Sequence, residues 1–208
     1  LYPWLEYGNA DFDVRQRFVI DYAYQLPFGR GRAFGAGAGG VLNQIIGNWQ
    51  VAGITSLQTG NWFTITDSIT NVSTADGGGV VGYYEVRPNL AGNPNATPCA
   101  HGYLFNTCAF ADNTTFFTFG DAGRNIVRGP GLQDWDFSIF KIFPIHEKVH
   151  AEFRSEFFNI WNHVNPLLGP IGAISEEPFA VEFGTPQFGQ AVAARDPRFI
   201  QFALKFYF

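Results

Sequence analysis

The last twelve residues alternate between two kinds of side chain, and this pattern limits the possible folds more than any other feature. From Ile200 to Phe208 every second side chain is apolar, and those between are mixed in character. A strand has a side-chain period of two, so the segment predicts one β-strand with an apolar face. That face covers eight residue steps, or roughly 26 Å at ~3.3 Å per residue. Its members are Ile200, Phe202, Leu204, Phe206 and Phe208.

The composition indicates that part of the surface contacts something other than water. Aromatic residues make up 17% of the chain and charged residues only 15%, against ~25% charged in ordinary soluble domains. No apolar run reaches the ~18 residues of a membrane-spanning helix. A closed barrel is the other way to pair every backbone group in lipid. The net charge of −5 argues against a nucleic-acid partner.

A soluble β-sandwich is the alternative that the last strand leaves open. The edge strands of soluble proteins are usually blunted by charge or proline. The segment 199–208 carries Lys205 as its single charge. The apolar face is therefore more typical of a strand that contacts lipid.

Four further segments alternate in the same way and predict an antiparallel meander of about five long strands. Residues 41–46 predict a single helical turn under a barrel, and Trp62, Thr64 and Thr66 are expected to extend the second strand beyond a bend at Gly60. The predicted strands before the last one are 15–26, 48–58, 132–143 and 148–160.

A short turn joins the third and fourth predicted strands. Centring it on Ile145 predicts the register. A slip by one residue would move Glu152 and Arg154 into lipid, at ~2–4 kcal/mol for an arginine near the midplane. The opposed pairs expected from this centre are Phe137 with Phe153, Ile139 with Ala151, and Asp136 with Arg154.

Two long connections, about 67–131 and 162–196, show no sustained alternation. Long external loops beside short turns are typical of outer-membrane barrels, so both are expected to be extracellular. Cys99 and Cys108 lie in the first loop and are expected to form a disulfide in an oxidising compartment. The aromatic residues of this loop either pack inside it or form a binding surface. They are Phe105, Phe110, Phe116, Phe117 and Phe119.

Charged residues recur on one face of the third and fourth predicted strands. Glu152 and Glu156 could act as general acid and base together with Arg154, Asp134 and Asp136, but a charged network facing the barrel lumen is the favoured interpretation. The histidines lack zinc-ligand spacing, so we expect neither enzymatic activity nor a metal or cofactor. The predicted lumen network is Asp134, Asp136, Glu152, Arg154 and Glu156.

Several sequence blocks, in order, resemble the C-terminal part of Oar-like TonB-dependent receptors of the acidobacterial type. The resemblance runs from about residue 11 to the end. The matching blocks are DVRQRFV (13–19), LPFGRG (26–31), GNWQVAGI (47–54), GRNIVRGPG (123–131), DFSIFK (136–141), FRSEFFN (153–159) and the final Phe208.

The resemblance implies a barrel of about 22 strands with a plugged lumen, of which residues 1–208 would be one C-terminal segment. Neither a plug nor an initiating Met is present, so we expect a processed or partial chain. The implied partners are outer-membrane lipid, the remaining barrel and plug, TonB indirectly, and the barrel assembly machinery. That machinery would read a closing signal formed by Phe202, Leu204, Phe206 and Phe208.

The function expected from the resemblance is import of a bulky nutrient at the bacterial outer membrane and cell surface. A cleaved fragment that self-associates into a fibre or adhesin-like surface protein is the alternative. Five strands alone leave two unpaired sheet edges, which are templates for adding another chain.

Overall fold

The computed structural model of the chain describes residues 3–67, 87–112, 120–146, 149–167 and 182–208. Its helices are two 3-10 turns, Pro3–Glu6 and Thr107–Ala109, and α1, Gly40–Ile46. None of the helices in these ranges has the length and apolarity that crossing a membrane requires. The strands are β1 Arg17–Gln25, β2 Trp49–Gln58, β3 Trp62–Phe63, β4 Thr66–Asp67, β5 Asn89–Leu90, β6 Phe110–Ala111, β7 Val127–Arg128, β8 Leu132–Pro144, β9 His150–Phe158, β10 Pro166–Leu167, β11 Glu182–Phe183, β12 Ala193–Ala194 and β13 Phe199–Tyr207.

The long strands form a five-stranded sheet in the order β1-β2-β8-β9-β13. Their order in the sheet follows their order in the chain, and the β8–β9 and β9–β13 pairs are antiparallel. Each lies within about two residues of a segment predicted from alternation, so an all-β fold with mostly antiparallel strands is confirmed. Among the residues that the structure describes, the sheet is open at β1 and β13.

The two faces of this sheet differ in chemistry. Directly paired residues of antiparallel strands point to the same side, so the pairs Phe137–Phe157 and Phe157–Ile200 define one face, which we call the apolar face. The neighbouring positions, such as Glu152 and its partner Lys205, define the opposite, polar face. The alternation seen in single strands therefore continues across the sheet.

The predicted register of the β8–β9 hairpin is wrong. Phe137 pairs with Phe157 instead of Phe153, Ile139 with Ser155, and Arg154 faces Phe140 instead of Asp136. The ladder runs on to Pro144 and His150, so the turn is centred beyond Ile145. A shift by an even number of residues keeps every side chain on its own face. Alternation cannot detect such a shift, and only the turn decides it.

The expected extension of β2 beyond Gly60 is also wrong. β3 pairs with β7, and β4 pairs in parallel with β11, each in a separate two-stranded sheet. Gly60 explains the break, because a Cβ at this position would clash with the backbone of Gly129 and would lie 2.6 Å from the Pro130 carbonyl oxygen. The two backbones approach too closely for β2 to continue in its own sheet.

The chain divides into two compact units. One is the five-stranded sheet with α1, built from residues 17–57, 133–163 and 196–208. The other, the loop unit, comprises 1–16, 58–132 and 164–195 within the described ranges, so both long connections contribute to it. Its buried core is Ile65, Phe105, Ala109, Phe110, Ala122, Val127 and Phe188.

The aromatic side chains of the loop unit pack against one another. Phe105, Phe110 and Phe188 make edge-to-face contacts with ring centroids 5.3–6.2 Å apart. Phe105 and Phe110 therefore pack inside the unit, and of the two alternatives that the sequence leaves open, internal packing is the one found for these residues. Phe116, Phe117 and Phe119 lie outside the described residues.

Cys99 and Cys108 form a disulfide across nine residues of the loop unit. Closing a loop of this size removes unfolded-state entropy worth about 2–3 kcal/mol. We expect the double variant Cys99→Ser, Cys108→Ser to make the loop unit cleavable by protease at a lower denaturant concentration. Reduced wild-type protein is the matched control and should be cleaved at that same lower concentration. Equal resistance of oxidised wild type and variant would contradict the prediction.

Candidate functional site: the two faces of the sheet

The apolar face is exposed instead of being covered by a second layer of its own unit. Phe202 in β13 has 66% of its surface exposed, and Phe206 and Leu204 are exposed as well. The face is ordered by contacts within the sheet, with the rings of Phe153 and Phe202 stacked at 6.1 Å. Exposed apolar patches this extensive mark a surface that contacts something other than water.

Gly53 in β2 provides a gap that Tyr22 of β1 fills. A Cβ at Gly53 would clash with the phenol of Tyr22 and would lie 2.6 Å from the carbonyl oxygen of Asp136 in β8. The tyrosine ring therefore lies across the middle of the sheet, over a position without a side chain. This contact spans the β1, β2 and β8 strands.

We expect Gly53→Ala to destabilise the sheet by about 1–3 kcal/mol, because overpacking forces side chain and backbone apart. Gly37→Ala is the matched control, since a Cβ there meets nothing within 4 Å. Denaturant unfolding of the two variants in detergent measures the difference. Equal midpoints for both variants would show that Tyr22 moves aside without cost.

The polar face carries a connected charge network on β9 and β13. Arg154 pairs with Glu152, and the Tyr207 hydroxyl donates to the second Glu152 oxygen at 3.3 Å. His150 stacks on Tyr207 at 4.5 Å between ring centroids, and the Arg154 guanidinium lies 5.0 Å from the ring of Phe140. The arrangement satisfies the charges locally and leaves no free acid–base pair within this cluster.

The other predicted network residues lie elsewhere on the polar face. The Asp136 carboxylate accepts from the backbone N–H of Asn159 at 3.1 Å, and so fixes the chain where it leaves β9. Glu156 faces Ser138 and Gln201 across the strands. The structure brings Glu152 and Arg154 together and gives Asp136 a separate role. Asp134 lies two residues before Asp136 in β8 and therefore on the same face of the sheet.

Lys141 interrupts the apolar face of β8 near its end, where a lysine side chain can extend to the membrane interface. In the structure it is only 1% exposed. The ammonium donates to the carbonyl oxygens of Ile45 and Gly47 at the carboxyl end of α1 and lies 5.0 Å from the ring of Trp49. The helix covers the lysine and supplies the hydrogen-bond acceptors that a buried charge needs.

A family comparison decides what this exposed apolar sheet is. A model of the outer membrane beta barrel domain matches residues 2–201. The chain belongs to this family. Searches of curated proteins and of solved structures gave no match.

Membership in the outer-membrane β-barrel family explains the two faces. Outward residues of such barrels are apolar and contact lipid, while inward residues are polar. The family indicates the outer membrane as the location of this barrel domain. Among the described residues, no group of three or more His, Cys, Asp or Glu side chains could hold a metal ion.

Sequence reasoning missed two contributors to this site. Alternation places Tyr207 on the face opposite Phe206, and its pairing with His150 then follows from the β9–β13 register. Asn159 adopts a positive φ of 48° and donates to the carbonyl oxygen of His163 at 2.9 Å. Asparagine tolerates that conformation better than most residues, so Asn159 at the end of an alternating segment was the available signal.

Proposed function

We propose that the chain is the C-terminal barrel segment of a TonB-dependent outer-membrane receptor that imports a bulky nutrient and is not an enzyme. The supporting observation is that the sheet has two open edges. Within the described ranges, β1 and β13 have a strand partner on one side only. Each is nine residues long, and lipid does not tolerate an unpaired edge of this length. Further strands are needed on both sides.

The distribution of charge supports a filled lumen. The Glu152–Arg154 pair and Lys205 lie on the face opposite the apolar one. A receptor barrel has a plug against this face, for which a surface of both charge signs is suited. Both long connections leave the same end of the sheet, since β2 and β9 run towards it and β8 and β13 return from it. We place that end at the cell surface.

TonB dependence is tested by uptake in cells of the source bacterium. The probes are a labelled oligosaccharide, a labelled peptide and a ferric chelate, each compared among wild-type, receptor-deleted and TonB-deleted cells. We expect one probe to require both proteins. The transport proposal would be refuted if all three probes were still taken up in both deletion strains while the receptor was verified in the outer membrane of wild-type cells. The assignment to the barrel family would stay intact.

The open edges also favour a second candidate, a self-associating surface protein. Strand addition between copies of the chain would pair β1 with β13 and extend one sheet. Cysteine cross-linking between position 23 in β1 and position 203 in β13 of different copies, both on the polar face, distinguishes the two. Cross-linked multimers on intact cells would support self-association, and a heat-modifiable band without multimers would support the receptor.

A further inference from the structure

The connection between β1 and β2 has a charge opposite to that of the chain. Residues 26–48 contain Arg30 and Arg32 and no acidic residue, giving +2 from two arginines in a chain whose net charge is −5. Both arginines are exposed. An anionic surface is therefore the electrostatically favoured neighbour of this connection.

Helix α1, within this connection, presents its apolar side outward. Val41 is 80% exposed and Ile45 is 62% exposed, and residues four apart lie on one side of a helix. Polar residues of the helix are used internally instead. The Asn43 side-chain oxygen accepts from the Arg30 backbone N–H at 2.6 Å, and Gln44 donates to the Pro144 carbonyl oxygen at 3.1 Å.

The carboxyl end of α1 is held against the apolar face of the sheet. The Trp49 indole N–H donates to the Ile45 carbonyl oxygen at 2.9 Å, and Lys141 donates to the same oxygen at 3.3 Å. Phe28 and Phe34, also exposed, pack together at 5.6 Å in the same connection. The helix therefore adjoins the face that contacts lipid in this family, and its own apolar side is exposed.

We propose that the β1–β2 connection is an interfacial anchor on the phospholipid leaflet of the outer membrane. The side of α1 that carries Val41 and Ile45 enters the boundary between headgroups and acyl chains, and Arg30 and Arg32 contact anionic headgroups. Interfacial helices combine these features, with an apolar side against the acyl chains and basic residues beside it. A helix of seven residues is unstable in isolation. The contacts from Lys141 and Trp49 hold it in place.

A bilayer fits this surface better than a second copy of the chain. The connection is basic while the chain is acidic overall, so charge alone would favour a copy as well. The helix, however, adjoins the face that contacts lipid in this family, and a copy could reach it only by displacing that lipid. The anchor lies at the end of the sheet with the short β8–β9 turn, the end that faces the phospholipid leaflet in outer-membrane barrels.

The test is a depth measurement on the full-length protein in vesicles of phosphatidylethanolamine and phosphatidylglycerol. Spin labels are attached to Val41→Cys and Ile45→Cys. The two native cysteines are disulfide-bonded, so the new thiol is the reactive one. Tyr7→Cys in the loop unit is the matched control, since Tyr7 is 93% exposed. Accessibility to oxygen and to a water-soluble nickel chelate is compared at each position.

We expect the labels at 41 and 45 to be several-fold more accessible to oxygen than to nickel, and the label at 7 to show the reverse. Replacing Arg30 and Arg32 by Gln, or using phosphatidylcholine alone, should raise nickel accessibility at 41 and 45. Nickel accessibility equal to that at position 7 would overturn the anchor. Protection from both reagents would overturn it too, because a protein then covers the helix. If nickel accessibility at positions 41 and 45 changed neither with the arginine replacements nor with the lipid charge, the proposed contact with anionic headgroups would be overturned.

Discussion

Phe202→Arg is expected to destabilise the membrane-inserted protein by about 2–4 kcal/mol, the cost of an arginine on the lipid face near the bilayer midplane. Phe202 lies in the middle of β13, on the apolar face, and is 66% exposed. If that face contacted water, the same change at an exposed position would alter stability by only about 0.5 kcal/mol. The size of the loss therefore shows directly whether this face contacts lipid or water. Urea unfolding in phospholipid vesicles measures the free energy.

Gln201→Arg is the matched control for this substitution. Gln201 is the adjacent residue in β13, points to the polar face and lies opposite Glu156. An arginine there gains a carboxylate neighbour and leaves the lipid contact unchanged, so stability should stay within about 1 kcal/mol of wild type. Equal losses of unfolding free energy in both variants would contradict the assignment of the apolar face alone to lipid.

The period of two in the sequence was sufficient to predict the five-stranded sheet. Strand length and facing follow from local side-chain alternation, which is why β1, β2, β8, β9 and β13 were found within about two residues. The hairpin register was not predictable in the same way, because even shifts preserve both faces. The turn beyond Ile145 decides it, and no glycine or proline within residues 145–149 marks a turn type.

The loop unit could not be predicted because its core joins distant residues. Ile65, Phe110 and Phe188 pack together although more than forty residues separate each from the next. Such contacts carry no periodic signal, so the sequence predicts the connections 67–131 and 162–196 only as two separate loops. Their cysteines were informative, since a close pair in an exported chain favours a disulfide, and the structure joins Cys99 to Cys108.

The sequence predicts those features of the site that follow from the face of the sheet on which a residue lies. It does not predict those that depend on contacts between distant residues. Glu152 and Arg154, two residues apart in a strand, must share a face, and they pair. Lys141 breaks the apolar pattern of β8, and sequence alone allows it only to reach toward water. Its partners are backbone carbonyl groups of a helix almost a hundred residues earlier, which no side-chain pattern reveals.

Lys141→Ala is expected to cost about 3 kcal/mol or more. The change opens a cavity at a side chain that is 1% exposed, and it removes the donor to Gly47 at the end of α1. Cavity formation and an unpaired buried carbonyl group each contribute a few kcal/mol. The Ile45 carbonyl oxygen retains the Trp49 indole as a donor. Denaturant unfolding measures the total loss.

Lys141→Met separates the ammonium from the packing of its stem, because methionine keeps most of the volume. We expect a smaller loss of about 1–2 kcal/mol, since two carbonyl groups and the rings of Trp49 and Phe143 surround the charge. Amide hydrogen exchange should nevertheless accelerate in residues 40–47, where the helix loses its anchor. Unchanged exchange together with higher stability would mean that desolvation of the Lys141 ammonium outweighs its favourable contacts. In that case Trp49 and Gln44 alone would hold α1 in place.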